Sequence, residues 1–355
     1  MKLADCVAQW QTPFVVQDRA SRRTTVLNNA ADCAVHVARC PIRYVLSDDL
    51  TALCADLAYS KGARTLACAD LLHVPAEVLW VEWCNRPWQN ALQRYGFPLT
   101  ERGCEWAGRR GALVRSSLDG RRGLLRTFWT AASGCDVLAS SVEGYFDFDT
   151  LEGEEPKPPD SERRQAIKVY DSARAGDDVL GRCFRFRYER SWADYYQRAE
   201  LSDAQSEAVW RHALGTIAVD VPLLLAFFLL LATRTGLPQR VLTFARLNRA
   251  RRKSGKGPLL AHIEVRAPLL PEYRQDRQPG YHGTRRSPRL HHVRGHLVRR
   301  GSQLFWRVPH LRGSARTGLV RTRTVVWTFD GSLPRRTAAS RAIHDQGRTV
   351  EHDVG

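Results

Sequence analysis

The densest chemistry in this chain lies in the run LHHVRGHLVRRGSQLFWRVPHLRG, from Leu290 to Gly313. It brings together His291, His292, Arg294, His296, Arg299, Arg300, Trp306, Arg307, His310 and Arg312. Arginines that clamp phosphates, with Phe305 and Trp306 beside them for base stacking, are the ingredients of a surface for single-stranded or structured nucleic acid. Histidines add neutral donors to such a surface. On this reading the binding face is His292, Arg294, His296, Arg299, Arg300, Trp306, Arg307, His310 and Arg312. The blander alternatives are that Phe305 and Trp306 fill the core of a small sheet behind a solvated arginine face, or that the face docks an acidic protein.

Two further chemistries use the same residues. A histidine acid and base pair beside a phosphate-binding arginine is the apparatus of a metal-independent ribonuclease, with His292 or His296 set against His310; His296 and His310 are the catalytic alternative. The histidine spacings would also permit a metal. However, no cysteine or carboxylate lies between Arg277 and Asp330, and ligands among so many cations compete with their repulsion, so no metal site is expected.

Other signatures fail. Ser254-Gly255-Lys256-Gly257 lacks the first glycine of a P-loop (Ala250 stands there) and the hydroxyl after its lysine, and there is no G-x-S-x-G, H-E-x-x-H or G-x-G-x-x-G motif. Asp147 and Asp149 could hold a divalent cation, but they open an acidic, proline-rich run that reads better as a solvated linker. No cofactor is expected.

The elements that must position the basic face are strands. Leu259–Arg266 reads as one, followed by a proline- and arginine-rich loop from Pro268 to Pro288. Leu290–Arg300, Leu304–Leu311 and Leu319–Phe329 follow, separated by Gly301-Ser302 and by residues 312–318, which suits a small antiparallel sheet. On a hairpin, His292, Arg294 and His296 share one face, opposite Val293, Gly295 and Leu297.

Upstream of these strands the patterns are helical. Ser202 and Gln205 form a capping box, and Val209, Ala213 and Ile217 recur at helical spacing. The apolar run Val221–Ala232 is about half the ~20 residues of a bilayer span. With Asp220 at its N-cap, Pro222 in its first turn and Gly236 and Pro238 beyond it, it predicts a buried core helix and no membrane element. A third helix is expected from Pro238, with Val241, Leu242 and Ala245 facing the core and a basic end at Arg249, Arg251, Arg252 and Lys253. The first 146 residues alternate helical patterns, such as Ala30–Ala58, with strand-like runs. In one of these, Val78–Trp83, the side chains of Val78, Trp80 and Glu82 oppose those of Leu79, Val81 and Trp83.

The expected class is therefore α+β. Residues 1–146 form an N-terminal mixed domain, 147–162 an acidic linker with seven acids and three prolines, 163–253 a helical hub, 254–330 a basic β module, and 331–355 a disordered tail. With 355 residues and 43% apolar content, the chain can bury a proper core.

The net charge of +17 is localised. Residues Arg246 to Arg323 hold 20 lysines or arginines against Glu264, Glu272 and Asp276, a concentration that attracts phosphates. Nine cysteines in the first 183 residues, odd in number and without a C-x-x-C pair, read as reduced thiols in a cytoplasmic protein. Asp5 and Gln9 interrupt any secretory h-region at the start.

The order of features resembles the larger type V-A anti-CRISPR proteins and their phage- and prophage-encoded relatives. The pieces that carry the resemblance are the apolar helix Val221–Ala232, the basic segment Leu237–Arg252, His292-Val293-Arg294-Gly295-His296 and Phe305-Trp306-Arg307, with Val74–Trp83 as a proline-then-strand segment. Together they cover about a third of the chain, and the loop from Pro268 to Pro288 has no counterpart. The resemblance implies a mobile-element protein that suppresses a host system by acting during synthesis of a target protein, recognising the nascent peptide and provoking loss of its message; the partners it implies are RNA or the ribosome with its nascent chain, or a host defence protein. The function expected is regulatory binding of nucleic acid, RNA above all, rather than catalysis.

Overall fold

The computed structural model of the chain describes residues 2–10, 14–17, 24–27, 30–59, 70–95, 108–130, 137–150, 168–169, 183–198, 201–234, 236–268, 289–293, 295–307, 310–312 and 314–319. The chain divides into two compact units, residues 1–272 with 294–309 and residues 273–293 with 310–355.

The first unit carries α1 (Leu3–Ala8), the antiparallel pair β1 (Phe14–Gln17) and β2 (Thr24–Leu27), then α2 (Ala30–Arg39), β3 (Ile42–Leu46), α3 (Asp48–Tyr59), β4 (Val78–Cys84) and α4 (Asn85–Arg94). Next come β5 (Arg109–Ser116), β6 (Arg122–Thr130), β7 (Val137–Asp147), β8 (Lys168–Val169) and β9 (Phe184–Tyr188). Helices α5 (Arg190–Arg198), α6 (Asp203–Ala218) and α7 (Val221–Leu231) follow, then β10 (Gln239–Leu242), α8 (Ala245–Lys253) and β11 (His262–Val265).

Nine of these strands form one mixed sheet in the order β10-β11-β3-β4-β5-β6-β7-β9-β8, with β11, β3 and β4 parallel and the other neighbours antiparallel. The α+β expectation holds. The sheet draws strands from 1–146, from 163–253 and from 254–330, because β9 pairs with β7 and β11 pairs with β3; the compact units divide elsewhere.

Strand β4 alternates as the sequence predicts, and both of its faces are covered. Leu79, Val81 and Trp83 join the larger core with residues of α3, α4, α6 and α7, while Trp80 packs with Leu3 and Val7 of α1 and Val37 of α2 on the other face. Helix α7 is apolar all round because it is buried all round, from Val221 to Leu230, with Phe227 edge-on to Tyr44 at 5.5 Å. Together α6 and α7 make an apolar helical run, Asp203–Leu231, long enough to cross a membrane by length and composition. Its most apolar window is 78% buried inside the protein, which makes it a core helix here. The Ser202–Gln205 capping box opens α6, and Trp210, Ala213 and Ile217 face the core.

Three local expectations change. Ala30–Ala58 is two helices separated by β3, since Pro41 ends the first and Ile42-Arg43-Tyr44-Val45 suits a strand that pairs with both β11 and β4. The segment after Pro238 is strand β10, not helix: sheet pairing to β11 overrides local propensity and leaves Val241 68% exposed, and the helix starts only at Ala245. Asp220 stands at the N-cap of α7 but makes no capping bond with its side chain, which goes to Arg110 instead.

The second unit contains β12 (Arg289–Val293), β15 (His310–Arg312) and β16 (Ser314–Leu319) in the order β15-β12-β16. Strand β12 is antiparallel to β15 but parallel to β16, so the module is not purely antiparallel. Most of the acidic run (151–162), the loop 269–288 and the tail after Asp330 lie outside the described residues.

Candidate nucleic-acid interface

The hairpin β13 (His296–Arg300) and β14 (Gln303–Arg307) belongs to the first unit. Its two-residue loop needs Gly301, whose φ of 60° is costly for other residues. The register pairs His296 with Arg307, Leu297 with Trp306, Val298 with Phe305, Arg299 with Leu304 and Arg300 with Gln303. Alternation therefore sorts the side chains. Leu297, Arg299, Leu304 and Trp306 share the face that meets the body, whereas His296, Val298, Arg300, Gln303, Phe305 and Arg307 share the other.

The inward face explains why the hairpin is held. Leu304 and Trp306 are 3% and 5% exposed and belong to the larger core. Arg299 meets the Asp70 carboxylate through two bonds of 2.8 and 2.7 Å, and the Arg234 amide donates to the Leu304 carbonyl at 2.9 Å. Arg234 also donates from its guanidinium to Gln303 Oε1 at 3.0 Å. Two expected binding residues are thus corrected. Trp306 is a core residue with no face left for a base, and Arg299 is an anchor whose fork is taken by a carboxylate. Asp70 was invisible to sequence reasoning because its partner is 229 positions away.

The outward face carries the other residues of the hairpin. His296, Arg300 and Arg307 are exposed, Phe305 and Val298 are half-buried between them, and neither strand carries a carboxylate. The Arg300 guanidinium lies 5.9 Å from the Phe305 ring centroid, within cation–π range.

The remaining expected residues fall elsewhere. His292, His310 and Arg312 belong to the second unit, where His291 stands opposite Arg312 and Val293 opposite His310; Arg312 is exposed. Arg294 lies outside the described residues. His292 and His296 consequently do not line one hairpin face, because the strand expected over Leu290–Arg300 is split into β12 and β13. Of the catalytic alternative, His296 falls in the first unit and His310 in the second, whereas His292 and His310 fall in one unit, on the paired strands β12 and β15.

Beside the hairpin, an open depression of about 720 Å³ is lined by Asp70, His73, Asp119, Arg121, Arg234 and Gln303 among others. Its arginines are already engaged: Arg121 donates to the carbonyls of Asp70, Leu72 and Phe148 and pairs with Asp149 at 2.8 Å. The Ser117 hydroxyl and the Arg121 amide hold the Asp119 carboxyl below the ordinary range. The depression is a knot of internal bonds rather than an anion receptor.

The Asp147 and Asp149 pair is likewise spoken for. Asp147 is buried, ends β7, and meets Arg122 at 3.3 Å, and Asp149 meets Arg121 at 2.8 Å, so arginines engage both carboxylates. Among the described residues no cluster of histidine, cysteine and carboxylate suits a metal. Burial pushes the thiols of Cys33, Cys40 and Cys54 up, away from reactivity.

Comparison of the chain with protein-family models, with curated proteins and with solved structures finds no match.

Proposed function

We propose that this protein is a non-enzymatic regulatory binder of nucleic acid, RNA by preference, that engages its ligand through the outward face of the β13–β14 hairpin. The observation that carries the reading is the grouping of His296, Arg300 and Arg307 around the half-buried Phe305, on strands without a carboxylate and on a hairpin anchored from behind. Guanidinium groups supply phosphate contacts, the imidazole a hydrogen-bond donor, and the ring a stacking surface for an unpaired base. The resemblance to type V-A anti-CRISPR proteins supplies a setting: a mobile-element regulator acting in the cytoplasm on a nascent host protein and its message.

The test is the salt dependence of binding to a labelled single-stranded RNA by the wild type and by the Arg300→Ala, Arg307→Ala double variant. Each arginine withdrawn from a single-strand phosphate should lower the log–log slope by about 0.7. An unchanged slope overturns the assignment. Recovery of one protein partner from host lysate after nuclease treatment, with no RNA enriched, would identify the face as a protein-docking surface instead.

A further inference from the structure

Between Asp220 and Glu264 the chain has no carboxylate, yet it carries Arg234, Arg240, Arg246, Arg249, Arg251, Arg252, Lys253 and Lys256. Five of these eight cations sit on one nine-residue helix, α8, which buries none of its residues. A helix this short has little stability of its own, and most protein helices are held by an apolar face packed on a core. Helix α8 lacks such a face. It is held instead by one side of polar bonds: Asn248 accepts from the Leu259 amide and donates to the Leu259 carbonyl, both at 2.8 Å, and Arg251 donates to the Gly257 carbonyl at 2.8 Å. Gly255, at φ 66°, turns the chain back toward β11.

At 100° per residue, Asn248 and Arg251 stand on the anchored side with Leu247 beside them, while Arg252, Arg249, Lys253 and Arg246 fall within an arc of roughly 120° on the opposite side. All four are exposed. Helix stability does not explain this arrangement. Arg252 and Lys253 complement the negative end of the helix dipole, but Arg246 lies in the first turn, where a cation opposes it. Arg246 with Arg249, Arg249 with Arg252 and Arg249 with Lys253 are like-charge pairs at three or four residues, which repel. A polyanion lying against the arc would relieve this repulsion.

We infer that the Arg246, Arg249, Arg252 and Lys253 face of α8 is a second docking surface for the nucleic acid, contacting its phosphate backbone without regard to sequence. The inference rests on the nucleic-acid reading of the hairpin and extends it. Over a length of about 10 Å, the arc presents point charges and forks but no ring, so it adds affinity and salt dependence and leaves base choice to Phe305 and its neighbours.

The experiment uses the full chain and a labelled single-stranded RNA. Arg246, Arg249 and Arg252 are changed together to Gln, which keeps the helix propensity close to that of Arg. A control changes Arg190, Arg198 and Arg211, exposed arginines on α5 and α6, to Gln, removing the same charge. The α8 variant should lose about 2 from the log–log salt slope and bind more weakly at every RNA sequence, with preferences among sequences unchanged. The control should lose much less.

Equal losses in the two variants would reduce the effect to net charge and overturn the site. An α8 variant indistinguishable from the wild type, while the Arg300, Arg307 variant loses slope, would remove the second surface and leave the hairpin reading standing. A wild type without salt-dependent RNA binding would overturn both. Because α8 buries no residue, the variant should keep the wild-type melting curve, and that curve confirms that folded protein is being compared.

Discussion

The Arg299 guanidinium faces the Asp70 carboxylate in parallel, Nη1 to Oδ1 at 2.8 Å and Nη2 to Oδ2 at 2.7 Å, across 229 positions of sequence. The pair ties the hairpin to the loop before β4, and it separates Arg299 from its neighbours Arg300 and Arg307. Arg299→Ala should therefore leave the salt slope of RNA binding unchanged, while Arg307→Ala lowers it. Asp70→Asn, which frees the fork, should tighten binding. Because the two side chains are 41% and 55% exposed, a double-mutant cycle by urea denaturation should return a coupling of at most about 1 kcal/mol. A slope for Arg299→Ala as low as that for Arg307→Ala would show that the pair opens on the ligand.

Adjacent aromatics on β14 should separate stability from binding. Trp306→Ala empties a core position and should cost about 3–5 kcal/mol of unfolding free energy. Phe305→Ala removes a half-buried ring from the outward face and should cost much less stability, but it should weaken RNA binding by about 1–3 kcal/mol if a base stacks there. Melting curves with fluorescence anisotropy on both variants decide it. Loss of binding by the folded Trp306 variant together with an unaffected Phe305 variant would reverse the face.

How much of this was legible in the sequence follows from how local each determinant is. The capping box at Ser202, the buried α7 and the alternation of Val78–Trp83 rest on near neighbours, and all three stand in the structure. His296, Arg300 and Arg307 were among the residues expected to bind, but their sharing of one face depends on the β13–β14 register, which the strand expected over Leu290–Arg300 did not give. What decided β10, Arg299 and Trp306 is distant: β11 for the first, Asp70 for the second, and the large core for the third. The compact units also cut the basic run at residues 293 and 309, and no composition change marks either point. The basic arc of α8 was present in the sequence as a charge run, but its significance depends on the helix burying nothing, which composition does not reveal.

Glu82 should be a stability determinant of the N-terminal segment. It is fully buried and accepts from the amides of Leu3 at 2.9 Å and Ala4 at 3.0 Å, from Trp80 Nε1 at 3.3 Å, and from Arg109 Nε. Glu82→Ala strands these donors, each worth about 1–3 kcal/mol when buried without a partner. The expected result is a large loss of stability and early proteolytic cleavage near the start of the chain, with Glu82→Gln intermediate because one acceptor oxygen remains. A Glu82→Ala protein as resistant to protease as the wild type would mean that α1 is held without this carboxylate.

Arg110 sets the last prediction, in which pH is the readout. Its guanidinium lies 4.8 Å from the Trp88 ring centroid and 5.4 Å from that of Trp129, and it donates to Asp220 Oδ2 at 2.8 and 3.2 Å and to the Thr216 carbonyl at 2.9 Å. Asp220 is fully buried where α6 meets α7, and burial raises its pKa against the opposing pull of Arg110. A carboxyl whose folded pKa lies above its unfolded value of about 3.9 favours folding at low pH, and that contribution is lost as pH rises through the folded pKa. Arg110→Leu removes the opposing pull, so the folded pKa rises further and an uncompensated charge is buried at neutral pH, at a cost of about 3–5 kcal/mol. The gap between wild type and variant should therefore be widest near neutrality and narrow as pH falls toward the unfolded value of about 3.9, as folded Asp220 takes up its proton. Urea denaturation of both proteins across that range measures it. A gap that stays constant with pH would mean that Arg110 acts through its packing between the two tryptophans rather than through the charge on Asp220.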